Sequence, residues 1–474
     1  MASATFTAEA RPALAPSEVS EIWLGHLMSF LIPVSSLAYV WTGPHRWYVA
    51  LLFIAPFAVF HWMDVRPRYE RRQPVETLPA WPFDLIVYAL AAVHFGVLLG
   101  LVEMFRTQSL FSFDMAMVFV IVGGSSGFSI ITAHELIHRR NRFEQLLGRL
   151  LLCSVLYEHF YTEHLRGHHV RVGTPADPAT ARFGETYRAF FRRTVPAQFR
   201  SAWRLEKRRL GDVEMGLFDR RMLRNRVVHG LIVGWGMAFG VWWLFGPVSF
   251  VAYLLQAFVA VRLLEAVNYF EHWGLVRTGR RVQPVDSWDT HSWFTYYGLI
   301  GLSRHADHHA YPSRPYQQLR VWDEAPVLPV GYVGLVDLVL ARNDDFRAMA
   351  TRELRARRLG PFAEGAAPVE EPASDPGPGA RVAAAWRRIP AAIRPGLFLA
   401  LVLAAAALGV SLESGGETSY LAALGRGGAI AAIVGGALVA RHRIEAATQS
   451  GWIAWGAAFV LVFVAGSLAH PFLG

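Results

Sequence analysis

Apolar residues run through this chain in long uninterrupted stretches. Runs near the roughly 20 residues that cross a bilayer as a helix fall at 22–40, 48–62, 83–105, 113–131, 227–245 and 248–269. The pattern predicts six membrane spans, of which 48–62 is short and needs its flanks. Gly246-Pro247 separates the last two and suits a tight turn. Further runs near 397–412, 420–440 and 453–469 are rich in Ala and Gly, small residues that let membrane helices pack closely. Arg426 interrupts the middle one and, near a helix end, would snorkel to the interface. Between the two groups, 361–380 (PFAEGAAPVEEPASDPGPGA) has the composition of a flexible linker. The expected organisation is an N-terminal cytoplasmic tail (1–20), a membrane domain (21–360), the linker (361–380) and a C-terminal membrane extension (381–474) of about three apolar helices.

Composition agrees with a lipid-solvated, all-α protein: 53% of residues are apolar, 18% are charged, and there are 16 Trp and 31 Phe. The net charge of +9 is almost entirely arginine, Lys207 being the only lysine. These arginines flank apolar runs, as positive charge does on cytoplasmic faces, so nucleic acid is not the expected partner. Arg66, Arg68, Arg71 and Arg72 lie between spans two and three, whereas only Arg106 lies between three and four. Segment 132–226 carries a dense series from Arg139 to Arg226 and belongs on the same side. Glu413 and Glu417 then fall outside, and Arg441 and Arg443 inside. No basic stretch followed by an apolar one opens the chain, so no cleavable signal is expected. The single cysteine, Cys153, permits neither an internal disulfide nor a Cys-ligated cluster, and reads as a small core residue.

Histidines gather at the expected cytoplasmic ends of the spans. His134-Glu135-Leu136-Ile137-His138 ends the fourth span, with two imidazoles one helical turn apart on one face. Glu163-His164-Leu165-Arg166-Gly167-His168-His169 pairs His164 with His168 at the same spacing and turns His169 to another side. Arg304-His305-Ala306-Asp307-His308-His309 pairs His305 with His308 and adds an adjacent ring. His272, in Asn268-Tyr269-Phe270-Glu271-His272-Trp273-Gly274, raises the set to nine. The first box also matches H-E-x-x-H, in which Glu135 would be the general base of a zinc protease. Eight or nine imidazoles exceed one four-coordinate zinc, and they suffice for two metals with positions left open. Such nitrogen-rich sites suit redox-active iron, while zinc and copper remain compatible with ligand type alone. Glu135, Glu163, Glu271 and Asp307 are candidates to accept the second ring N–H of a ligand; the competing expectation is an ion pair to Arg139, Arg166 or Arg304. His26, His61 and His94, each alone beside a span, read as packing residues.

These boxes resemble those of the membrane-bound fatty-acid desaturase and hydroxylase superfamily, and within it the alkane 1-monooxygenases. The finer resemblance lies in His169-Val170-Arg171-Val172-Gly173-Thr174-Pro175-Ala176-Asp177-Pro178-Ala179-Thr180-Ala181-Arg182 with Gly184-Glu185, in Leu264 to Leu275, and in His305 to Arg320. It covers about residues 20 to 335. It departs from the family pattern at Ile137 and Arg139, at Trp273, and at Asp286-Ser287-Trp288-Asp289, and the residues beyond about 378 exceed the usual family length.

The resemblance implies a six-helix transmembrane bundle with a cytoplasmic histidine-rich di-iron domain, in a bacterial inner membrane. It implies two non-haem Fe ions, O2 as co-substrate, and terminal hydroxylation of a medium- or long-chain n-alkane drawn from membrane lipid. Electrons would come from a rubredoxin-type donor with its reductase, since this chain has no cysteine set for a relay. Methyl hydroxylation of alkyl-aromatics and acyl-lipid desaturation or hydroxylation are the alternative chemistries.

Overall fold

Six helices are long and apolar enough to cross a membrane: Val19–Thr42, Trp47–Asp64, Trp81–Met104, Phe113–His138, Arg226–Phe245 and Pro247–His272. They coincide with the six runs expected from the sequence. The computed structural model describes residues 16–65, 68–74 and 78–364. Most of the 1–20 tail, the linker beyond residue 364 and the 381–474 extension lie outside the described residues.

A backbone in lipid can bond only to itself, so each apolar run closes into a helix and finds its caps at polar ends. The Asn225 side chain accepts from the amides of Val227 and Val228 at the start of the fifth span. Ser112 does the same for Met115 ahead of the fourth. Pro82 and Pro247 occupy first turns, where no intrahelical donor is lost. Gly246, with φ of +89°, makes the expected turn between the last two spans. The short second run gains its length by ending on Asp64. That buried carboxylate accepts from Ser292 Oγ at 2.7 Å, Thr295 Oγ1 at 2.5 Å and the amides of Val333 and Gly334 at 2.7 and 3.2 Å.

The fourth and sixth spans form the axis of the bundle. A Cβ on Gly123 would lie 2.6 Å from Val259 Cβ, and one on Gly127 would lie 2.9 Å from Leu263. Only glycine permits so close an approach. The structure alters the expectation for 132–226 in one place. Helix Arg142–Ser154 folds back among the spans, where Ser154 Oγ bonds His94 in the middle of the third and Gln256 of the sixth bonds the Ser154 carbonyl. At 13 residues it is too short to register as a span. Cys153, at its end, is buried beside the Gly230 carbonyl, as a small core residue should be.

Where the fourth and sixth spans end, further helices close over them: the short His159–Glu163, His169–Arg171, Trp293–Gly298, His305–Ala310 and Tyr332–Ala341, and the longer Tyr187–Arg209 and Asn343–Arg357. A parallel ladder of Asp289–Thr290 against Val327–Leu328 is the only sheet among the described residues.

Candidate metal centre

His134 and His138 occupy the last turn of the helix Ile121–His138, with ring centroids 4.9 Å apart. The helix stops there because Arg139 turns extended, with ψ of 155°. In the second box, residues His164–His168 form a π-helical turn, which spaces bonded residues by five instead of four. This changes which histidines meet. His164 and His169 come together, Nε2 to Nε2 at 3.0 Å, and His168 swings away. In the third box His305 and His309 share a face, and His308 points elsewhere.

The nine histidines fall into two groups. His134, His138, His164, His169 and His308 form one, and His168, His272, His305 and His309 the other, with potential ligand atoms in each within 4.8 Å of one another. The pairing expected from spacing, His164 with His168 and His305 with His308, is therefore replaced by a crossed one in which each of these boxes serves both groups. Stacked rings of His169 and His309, centroids 4.3 Å apart, join the groups. His272, the last residue of the sixth span, belongs to the second, 3.2 Å from His305, Nε2 to Nε2.

These residues fit metal ions. Two nitrogens each about 2.1 Å from one ion, at right angles, stand about 3.0 Å apart, close to the spacing of the paired Nε2 atoms. Neutral rings can share a hydrogen bond in pairs, but a group of five cannot all be satisfied that way. His138 Nε2, His168 Nε2 and both nitrogens of His309 are buried with no partner. Burial also pushes His164, His169, His305, His308 and His309 well below their ordinary value of 6.5, holding them neutral as ligation requires. Unfolded imidazoles titrate near 6.5 and these folded ones lower, so protons favour the unfolded chain. Metal-stripped protein is expected to lose thermal stability as pH falls below 6.5, and reloaded protein to resist that loss; melting followed by circular dichroism checks both.

Three of the four carboxylates take the alternative expectation, an ion pair to an arginine. Glu135 pairs with Arg139 at 3.1 Å, and Asp84 and Glu144 share that guanidinium. Glu163 pairs with Arg171 at 2.6 Å, and burial pushes it up to about 7 despite that partner. Asp307 takes the Arg314 guanidinium, the Arg320 amide and the Trp322 indole. None of these three touches a grouped histidine, because an arginine or indole lies within reach of each. Glu271 alone does: Oε2 is 3.2 Å from His305 Nε2, and Oε1 accepts from Tyr332 at 2.7 Å.

Sequence reasoning missed Asp177. Its Oδ2 accepts from His168 Nδ1 at 2.9 Å and from Thr180 at 2.6 Å, leaving His168 Nε2 toward its group. Burial opposes its charge, but His168 and these hydrogen bonds hold it below the usual carboxylate range. It stood inside the Thr174-to-Pro178 stretch already singled out, but nothing local links it to His168.

The departures have structural uses. Arg139 is the hub of the three carboxylates above. Trp273 donates to the Glu185 carbonyl at 3.0 Å, and Asp289 accepts the Ala306 amide at 2.7 Å, inside the third histidine helix.

An apolar cavity of about 440 Å³ meets both groups at His134, His164 and His305. It follows the fourth span past Gly127 and Gly124 between Phe57 and Val259, and ends at Phe119, Val120 and Leu340, which are exposed on the apolar surface of the bundle.

Residues 113–333 match the fatty acid desaturase family. The chain is 35% identical over 334 residues to alkane 1-monooxygenase 1 of Pseudomonas aeruginosa, a match covering 67% of this chain and 86% of that one. It is 31% identical over 326 residues to alkane 1-monooxygenase 1 of Alcanivorax borkumensis, covering 66% and 80%. The xylene/toluene monooxygenase hydroxylase component of Pseudomonas putida is more distant, at 26% over 207 residues, or 42% and 54%. Identity of this extent along most of the length of two such relatives places the chain in the alkane 1-monooxygenase family, a family of oxidoreductases.

Proposed function

We propose that this protein hydroxylates the terminal methyl of medium- or long-chain n-alkanes to 1-alkanols, using O2, two iron ions and electrons from a rubredoxin-type donor with its reductase. All nine histidines are assigned as iron ligands in this reading, five in one group and four in the other. The observation that carries it is the apolar cavity, which leads from the membrane-facing surface of the bundle to both groups. The arginine distribution supports a multi-pass inner-membrane protein with this centre toward the cytoplasm.

Bound iron would supply O2 activation. The protein's own part is to admit, orient and dry the substrate. Gly124 stands ten residues before His134, or about 15 Å along the helix, so the cavity suits a linear chain inserted end-on. Phe57, Phe60 and Phe128 wall it, excluding water. Tyr332 and Glu271 line its inner end beside His305 and hold one another by their hydrogen bond. The zinc-protease reading is not supported: Glu135 is committed to Arg139, and its neighbours His134 and His138 sit among three more imidazoles.

The test supplies membrane-embedded protein with a rubredoxin pair and offers octane, hexadecane, xylene and an acyl lipid under labelled O2, with metal analysis alongside. Labelled 1-alkanol and about two irons per chain are expected. A lipid product alone, or labelled methylbenzyl alcohol without 1-alkanol, would sink the alkane reading.

The cavity also predicts where chain length is set. A Cβ at Gly124 would lie 2.5 Å from the Phe57 ring, and both residues line the cavity, so Gly124→Ala crowds it at that point. Discrimination in apolar pockets runs at about 10-fold or more per methylene-sized change. Gly124→Ala is expected to favour octane over hexadecane by at least that factor, and Phe57→Ala to do the reverse, as read from product ratios in mixed-substrate assays.

A further inference from the structure

One face of the helix Tyr187–Arg209 carries Arg200, Arg204 and Arg208, spaced at successive turns and exposed. Among the described residues none of the three guanidiniums has an acidic partner, although like charges at this spacing oppose the helix. They line a groove of about 440 Å³ with Arg171, whose guanidinium is paired to Glu163, and Asp177. Asp177 is buried and bonds His168 of the second histidine group at 2.9 Å, so the groove lies one side chain from the metal centre. A second basic groove, at Arg68, Arg71 and Arg72, differs in charge balance. Arg71 pairs with Asp323, Arg72 with Glu70 and Glu21, and Arg68 lies over the Trp293 ring. Membrane topology accounts for arginines on this side in general, but not for an uncompensated row above a buried carboxylate that touches the centre.

We propose that the Arg200–Arg204–Arg208 groove is the docking surface for a small acidic one-electron carrier protein, and that electrons pass from it to the second histidine group by way of Asp177 and His168. This rests on the monooxygenase reading above. That reaction turns one C–H bond into C–OH and breaks the O–O bond, and the second oxygen leaves as water with two protons and two electrons. Two reduced carriers, docking in turn, each give one electron and leave oxidised. Uncompensated positive charge steers an acidic partner, and salt screens the attraction.

The test compares the full chain with its R200E/R204E/R208E variant in neutral-lipid nanodiscs, using an acidic rubredoxin as the probe. Rubredoxin affinity is expected to fall at least about 10-fold at low salt, and its salt dependence to flatten. The KM for rubredoxin rises in parallel, while kcat at saturating rubredoxin and reduction of the centre by dithionite stay close to those of the unaltered protein. Arg71→Glu leaves rubredoxin binding as it was. Unchanged rubredoxin binding by the triple variant would overturn the proposal, and a variant that loses only affinity for anionic-lipid bilayers would show the row to be a headgroup contact instead. The two readings fail separately. Rubredoxin binding that needs the row, without 1-alkanol formation, removes the alkane substrate and leaves the surface; 1-alkanol formation with row-independent binding removes the surface alone.

Discussion

His309→Ala is expected to lower 1-alkanol formation by more than about 100-fold, beyond the effect of losing an outer partner of a ligand, and to cost one of the two metal ions that the proposed function assigns to the histidine groups. His309 is buried, neither of its ring nitrogens has a partner, and it faces His168, His272 and His305 across centroid distances of 4.8, 4.9 and 4.4 Å. Removing it leaves three imidazoles in the second group, and the stack on His169 that joins the groups is lost as well. The spans do not depend on it, so the helical signal should stay intact. Metal analysis, circular dichroism and product assay on one preparation decide the matter: full metal content with retained turnover would remove His309 from the ligand set. Glu135→Gln is the matched control. It should keep its metal and most of its activity, whereas a protease built on H-E-x-x-H would lose both function and meaning without that carboxylate.

Asp177→Asn is expected to lower activity or metal affinity by about 10- to 100-fold, the range for carboxylates that orient a ligating histidine. The side chain keeps its shape but loses the charge that faces His168 Nδ1. Asp177 acts as a positioning residue, so the informative readouts are metal retention against a chelator and the absorption spectrum of the loaded centre. A purely structural role would lower the melting temperature and leave those two unchanged. Asp177→Glu, which restores charge at the wrong length, should recover metal retention only in part.

The spans and eight of the nine grouped histidines were legible in the sequence for a local reason: bilayer thickness sets run length, and these histidines arrive in boxes a helical turn long; His272, alone at the end of the sixth span, was legible only through the Asn268-to-Gly274 stretch. The grouping was not legible. The turn at His164–His168 is π-helical, so counting by fours assigns His168 and His169 to the wrong neighbours. Asp177 and Tyr332 were hidden because their contacts depend on the chain turning back upon itself; the Arg171 partner of Glu163 lies two turns further along one continuous helix, where the π-helical turn shifts the count, and the Arg314 partner of Asp307 lies just past the end of its helix. For Glu135 the ion pair to Arg139, one helical turn away, was foreseeable and is what forms. The fold-back helix Arg142–Ser154 escaped for a third reason: it carries Arg142, Glu144 and Arg149 on an otherwise apolar segment shorter than a bilayer.

The exposed outer end of the cavity, at Phe119, Val120 and Leu340, changes what a measured KM means. A substrate taken from the acyl layer is at equilibrium with lipid first and protein second. Each added methylene favours the lipid phase by about 0.8 kcal/mol, or roughly 4-fold in partition. Aqueous KM values would therefore fall along an alkane series even if the protein had no preference. An intrinsic preference of the protein would therefore be read on the scale of mole fraction in the bilayer, or from variants compared in the same membrane, where the partition term cancels.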